Sequence, residues 1–291
     1  MLRKMAALLL ASVTALALFA GCGRDDPLSS FRTLEVVGSR QYSLIYRKDD
    51  RLATIVDAAM GKLGERGVLA SLSVRYLGRD AIDLTGGLPQ PSPTPAPTPE
   101  PDAEEPDEAA QEAADAAASV PEDPLGRVLI VGVEQDFDPM AFEENGVLRG
   151  MNVDIASALA GEIGCKVTYQ FISPAQVEAQ LASGNIDVAL GFDSRTVNAD
   201  KFSVGYTYME SEIVLAARRG SGVNSVTDIK DRRIGTMDDP SVTAAVSANE
   251  RILRYASGAT VYLSPRRCVN ALDKGWCAAI AMDVIMLEHA L

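Results

Sequence analysis

The chain has 291 residues, 47% hydrophobic and 23% charged, a balance that excludes a wholly unfolded chain; its four cysteines exclude a disulfide-stapled miniprotein. Its formal net charge is −13, from 40 acidic and 27 basic residues, but ten of the acids lie between Pro91 and Pro124, where no Lys or Arg occurs. Without that segment the chain is nearly neutral, so the basic footprint expected of a nucleic-acid binder is absent.

Arg3 and Lys4 precede an apolar run from Met5 to Ala20, followed by Gly21-Cys22. A short charged stretch, an apolar region too short to span a membrane and small residues before a cysteine read as a cleaved secretory signal. The Ala-Gly-Cys ending resembles a bacterial lipoprotein signal, which implies residues 1–21 as signal peptide and Cys22 as the lipidated first residue. Phe19 stands where Leu is usual, and Cys22 as a small residue beside an ordinary cleavage site is the alternative. Either way the mature chain works outside the cytoplasm, at a membrane surface if anchored. Residues 22–30 are expected to be a tether.

Residues 31–87 form a short ordered piece. Thr33–Val37 and Tyr42–Tyr46 read as two strands. Asp49-Asp50 cap a helix that carries Leu52, Ile55, Val56, Ala59, Met60 and Leu63 at spacings of three and four. Gly67 restarts a second helix that ends near Gly78. Two strands and two helices of this size are marginal alone and need a partner surface. Residues 88–124 hold ten of the fifteen prolines, then Asp, Glu and Ala, and read as a solvated, disordered linker. Such a linker spans roughly 30–35 Å, the width of a small domain.

From Val128 onward, strand and helix alternate. Val128–Val133 is a continuous apolar run, as in a strand buried on both faces. A turn with Pro139 and Asn145-Gly146 follows, then a helix with Ile155 and Leu159, a strand at 167–171, a helix from Ser173-Pro174 to Gly184, and a strand at 186–190. The rhythm repeats with a strand at 233–235, a helix over 240–255, a strand at 259–263, a helix over 265–274 and a strand at 278–282. This alternation predicts an α/β protein with parallel sheets and crossover helices, in two lobes divided near Tyr206–Arg219: 125–208 as lobe 1 and 209–291 as lobe 2.

Three stretches carry a resemblance to the amino-acid-binding proteins of ABC importers (extracytoplasmic solute-binding proteins, family 3). They are Gly150-Met151-Asn152-Val153-Asp154-Ile155-Ala156, Leu181 to Ala189, and Phe202-Ser203 with Tyr206. The run Thr227 to Gly235 adds a match in lobe 2. The resemblance implies the two-lobe type 2 periplasmic-binding fold, with mixed and parallel sheets. The stretch that closes lobe 1 in that family resembles residues 34–37, 42–50 and 67–78, which here come first. That order implies a circular permutation joined by residues 88–124; a chance likeness in a chain that stops early is the alternative. Hinge strands would cross near Gly38–Tyr42 and Tyr208–Glu212.

Carried over from the resemblance, Glu134 and Asp283 would hold a ligand ammonium and Phe137 would form an aromatic wall. The Gly191-Phe192-Asp193-Ser194-Arg195 loop would bind the ligand through Phe192, Ser194 and Arg195, with Arg195 on its carboxylate. That loop is about three residues shorter than the family pattern, so the register of Arg195 is open, and Asp193 either favours a cationic ligand or neutralises Arg195. Ser241, at the start of the helix from Pro240, would offer its hydroxyl and free N–H groups to an anion. No aromatic stands near Pro174, which favours a small or polar amino acid. Glu134 read as a solvated acid and Asp283 as a helix cap are the plain structural alternatives.

Cys165, Cys268 and Cys277 read as buried free thiols, no Cys/His cluster has metal spacing, and His289 stands alone. The expectation is therefore a monomeric, lipid-anchored receptor that takes an amino acid or similar small solute, passes it to an ABC permease, and needs no cofactor, metal or nucleic acid. Two alternatives remain open: a dehydratase-like enzyme on the same fold, using Glu134 or Asp193 as acid, and a ligand-free sensory or structural module.

Overall fold

A computed structural model describes residues 27–84 and 128–290. The signal segment, Cys22 and the 88–124 linker lie outside these residues. The last four residues of the expected tether, Pro27–Ser30, form a 3-10 turn docked on the body, where the Ser30 carbonyl accepts from the Arg219 N–H at 3.0 Å.

Two 17-residue strands dominate the molecule, β1 (Phe31–Arg47) and β7 (Phe202–Arg218). They run antiparallel along nearly their whole lengths, from Phe31 opposite Arg218 to Arg47 opposite Phe202. The first corrects the sequence reading of two short strands: Gly38-Ser39-Arg40-Gln41 continues the pairing, because Ile213, Glu212, Ser211 and Glu210 lie opposite. Bulges on either side of that stretch let one ribbon twist from one lobe into the next.

Lobe 1 flanks the C-terminal half of β1. It contains β2 (Leu129–Glu134), the hairpin β3 (Phe142–Glu144) and β4 (Val147–Arg149), β5 (Val167–Ile172) and β6 (Val188–Phe192). Lobe 2 flanks the C-terminal half of β7 with β8 (Arg233–Met237), β9 (Gly258–Tyr262) and β10 (Ala279–Asp283). The sheet order is β5-β2-β6-β1-β7-β10-β8-β9. Within this sheet pairing is parallel inside each lobe and antiparallel wherever β1 and β7 take part; the antiparallel β3–β4 hairpin stands apart. The two-lobe α/β architecture thus rests on a single mixed sheet.

Helices cover both faces, as parallel strands buried on both sides require. On one face of lobe 1 lie α1 (Arg51–Glu65), α2 (Val68–Leu77) and α3 (Met151–Ile163), which bury Val56, Met60, Leu69, Ile155 and Leu159 together. Asp50 starts α1 by accepting the Leu52 N–H at 3.0 Å. The short α4 (Val177–Ser183) covers the other face with Val177 and Leu181. In lobe 2, α5 (Pro240–Ala248) and α6 (Glu250–Tyr255) pack opposite α7 (Pro265–Asp273) and α8 (Val284–His289).

The expected single helix over 240–255 is broken at Asn249. Its side chain accepts the Arg251 and Ile252 N–H groups at 3.1 and 3.0 Å and so starts a new helix. The expected turn at Asn145-Gly146 is the tip of the β3–β4 hairpin, both residues having positive φ. Gly38 admits α5: a Cβ there would stand 3.0 Å from the Ala245 Cβ. Cys165, Cys268 and Cys277 are free thiols; Cys268 and Cys277 are buried, whereas Cys165 is only half-buried, contrary to expectation. No helix among the described residues is long and apolar enough to cross a membrane.

Candidate functional site

The C-terminal ends of β2, β6, β8 and β10 converge between the lobes, the crevice where open α/β sheets place ligands. They deliver Glu134, Asp193, Asp239 and Asp283 to one region. The centre of β1 runs along its floor and sends Arg40 into the middle of it.

Arg40 is 1% exposed. Its Nη2 donates to Glu134 Oε2 of lobe 1 at 2.6 Å, and its Nη1 donates to Asp239 Oδ2 of lobe 2, also at 2.6 Å. Nη2 further lies 3.3 Å from the Gly191 carbonyl. The guanidinium carbon stands 4.6 Å from the Phe137 ring centre and 5.0 Å from that of Tyr42, within cation–π range. Tyr208 backs Tyr42 and donates its hydroxyl to Asn152 at 2.6 Å. Burial alone would lower the Arg40 pKa, but Glu134 and Asp239 outweigh it and hold the group well above its ordinary value.

The acids carry the cost of this burial. Asp283 is wholly buried; its Oδ1 accepts the Ile285 N–H at 2.7 Å and the Ser211 hydroxyl at 3.1 Å, while its Oδ2 has no hydrogen bond. Burial pushes its carboxyl up to about 6, with Arg40 pulling the other way. Burial likewise raises Glu134 against the pull of Arg40. Asp239 Oδ1 caps α5, accepting the Ser241 and Val242 N–H groups at 2.7 and 3.1 Å. Those amides, expected to be open for an anion, are therefore committed to the chain's own cap.

At the other end of the crevice Asp193 and Arg195 pair with each other. Arg195 Nε and Nη2 donate to Asp193 Oδ1 and Oδ2 at 2.9 and 2.6 Å. The Ser241 hydroxyl of lobe 2 donates to Asp193 Oδ2 at 2.9 Å, a second link across the lobes. Burial would raise the Asp193 pKa, but the Arg195 hydrogen bonds hold it below the usual carboxylate range. Arg195 also reaches the Ser39 carbonyl at 2.7 Å.

Of the residues expected from sequence, Glu134 and Phe137 thus meet at one guanidinium, with Asp283 buried within its field but bonded elsewhere, and Arg195 and Ser241 meet around one carboxylate. Asp283 also takes the plainer role of capping a helix, α8. Phe192 and Ser194 are placed elsewhere. Phe192 packs with Ile45, Ile172 and Leu181 in the lobe 1 core, because it falls on the face of β6 turned away from the crevice. Ser194 donates to the Gln41 side chain at 3.2 Å and accepts from Ser43, so it fastens β1.

Sequence reasoning missed Arg40, Tyr42 and Asp239. Arg40 sat in a stretch read as a bare crossover. Asp239 had a legible signal, an acid directly before a proline at a helix start. The space left beside Glu134, Phe137, Asp239 and Met286 is only about 30 Å³, room for a water or two. Outside it, between the β2–β3 loop and the start of α7, lies an open pocket of about 490 Å³ lined by Asp136, Asp138, Glu143, Arg266, Arg267 and His289. Among the described residues no cluster of three His, Cys, Asp or Glu is placed to hold a metal.

A family model for bacterial extracellular solute-binding proteins, family 3, matches residues 129–281. The arginine-binding extracellular protein ArtP of Bacillus subtilis is 25% identical over 108 residues, 37% of this chain and 42% of that protein. The probable amino-acid-binding protein YxeM of the same organism is 25% identical over 113 residues, 38% of this chain and again 42% of its own length. The chain's match therefore spans less than half of either relative. Among solved structures, an ABC uptake transporter substrate binding protein from Streptococcus pneumoniae with bound histidine is 25% identical, with a TM-score of 0.49 over 55% of this chain and 68% of that one. With its match running from β2 into β10, over more than half its length, the chain belongs to the bacterial extracellular solute-binding proteins, family 3.

Proposed function

We propose that this protein is an extracytoplasmic receptor, anchored by lipid at Cys22, that closes about the β1–β7 ribbon on a cationic amino acid and passes it to an ABC importer. The observation that carries the reading is the convergence of Glu134 and Asp239, with the Phe137 and Tyr42 rings, on one buried cation that also feels the buried Asp283. Arg195 and Ser241 supply carboxylate donors at the other end. Three carboxylates against one guanidinium leave the crevice with surplus negative charge, which selects a cationic ligand over a neutral or acidic one. The arginine recognition in the name of ArtP agrees in kind.

The segment order belongs to the same proposal. Residues 31–87, outside the family match, stand for the family's closing segment moved to the front, with 88–124 as the joint. The position of β1 between β6 and β7, with α1 and α2 on lobe 1, supports this. Both acids that a dehydratase-like enzyme would use, Glu134 and Asp193, are engaged by arginines. The second reading, a ligand-free module, is favoured by the small space left beside Arg40.

Thermal melting of the full chain with each of the twenty amino acids at about 0.1 mM tests the proposal. Arginine or lysine should raise the melting temperature while citrulline, the uncharged analogue of arginine, does not. Silence across all twenty would favour the ligand-free module.

A further inference from the structure

We propose that the interlobe crevice is a guanidinium site whose resident occupant is the chain's own Arg40, so that the lobes close on a tethered ligand and a free one enters by displacing it. Both ends of an amino-acid zwitterion are imitated from within. Arg40 stands where a ligand cation would sit, bonded to Glu134 of lobe 1 and Asp239 of lobe 2. Asp193 stands where a ligand carboxylate would sit, gripped by Arg195 and by Ser241 of the opposite lobe.

The surroundings of Arg40 are those of a bound ligand and unlike those of a surface arginine. Two carboxylates take its terminal nitrogens, two aromatic rings lie against it, and it is 1% exposed. Its Nε has no hydrogen bond, so the chain holds it by the outer end alone. Glu134 and Asp239 belong to different lobes, so if the lobes part Arg40 keeps one of them at most. The contact that fills the site is thereby the contact that closes it.

A tethered occupant competes at high effective concentration and weakens a free ligand by the factor with which the self-occupied state outweighs the vacant one. Asp283 Oδ2, buried and without a hydrogen bond, adds attraction for a second cation as Arg40 leaves.

The inference rests on the crevice being a solute site, as in the proposed function, and its test separates the two. Arg40→Ala in the full chain should melt below the wild type. Ethylguanidinium at about 1 mM should recover at least half of that loss, and its neutral isostere ethylurea should recover none. Wild type should respond to neither, and its radius of gyration in solution scattering should be the same with and without ethylguanidinium. A folded Arg40→Ala protein that ignores ethylguanidinium overturns the inference. So does a wild type that compacts when ethylguanidinium is added, a result that stands even if the variant does not fold. If the variant is rescued while no amino acid shifts the wild type, the occupancy of a guanidinium site by Arg40 holds, while its displacement by a solute and the receptor reading fail. If arginine shifts the wild type and Arg40→Ala binds it no better, the reverse is true.

Discussion

The two ends of the crevice use the same chemistry at different depths. At one end the Arg40 guanidinium bridges Glu134 and Asp239 with all three groups out of water, 1%, 14% and 3% exposed. At the other, Asp193 is as buried, 3% exposed, but its partner Arg195 is 46% exposed. Solvent screens the second pair from the arginine's side, and Asp193 keeps the Ser241 hydroxyl and the Arg195 N–H if that side chain is lost, so the pair contributes about 1 kcal/mol. In the first, removing one partner strands buried charge, a loss of about 3–5 kcal/mol. Closure of the lobes therefore depends on the arginine of the ribbon. The loop arginine mainly shapes its own turn, where Asp193 also accepts the Arg195 N–H.

The largest expected effect is that of Arg40→Ala, a loss of about 3–5 kcal/mol in urea denaturation. A loss under about 1 kcal/mol would erase the distinction between the two ends. Next comes the pH dependence of the buried acids. Asp283 is pushed up to about 6 from an ordinary 3.8, so between those values the folded state binds more protons than the unfolded one. Stability is thus lost as pH rises from about 4 to 6, by up to about 3 kcal/mol for a shift of two units. Asp57, also pushed up to about 6 by burial, slopes the same way. Asp283→Asn should stabilise the protein at pH 7, leave it little changed at pH 4 and flatten the slope in part. An unchanged slope would show that Asp283 titrates normally.

Ser241→Ala removes the interlobe bond to a charged acceptor and should cost about 1.5–3 kcal/mol. Arg195→Ala should cost the least, about 1 kcal/mol or less, and lose most of that in high salt. If Arg195→Ala proved as costly as Arg40→Ala, depth would not be what separates the two ends.

Much of the frame was readable from the residues. The apolar run at Val128–Val133, the helical spacing in 51–65 and the Pro and Asn-Gly punctuation yield the right elements in the right order, because local propensity and periodicity agree there with burial. The breaks came where a side chain overrode the pattern: Asn249 restarted a helix, and Gly38–Gln41, which reads as a crossover, continued a strand because β7 lay opposite.

The sequence by itself determined the α/β alternation and the helix cap at Asp50, because these follow from residue type and spacing, while the grouping of Glu134, Asp283 and Phe137 near a cation came from the family resemblance. Only the tertiary structure decided what the cation is. Arg40 lies 94 residues from Glu134 and 199 from Asp239. No local spacing signals such a contact, which exists because the twist of the β1–β7 ribbon turns one side chain into the gap between two lobes.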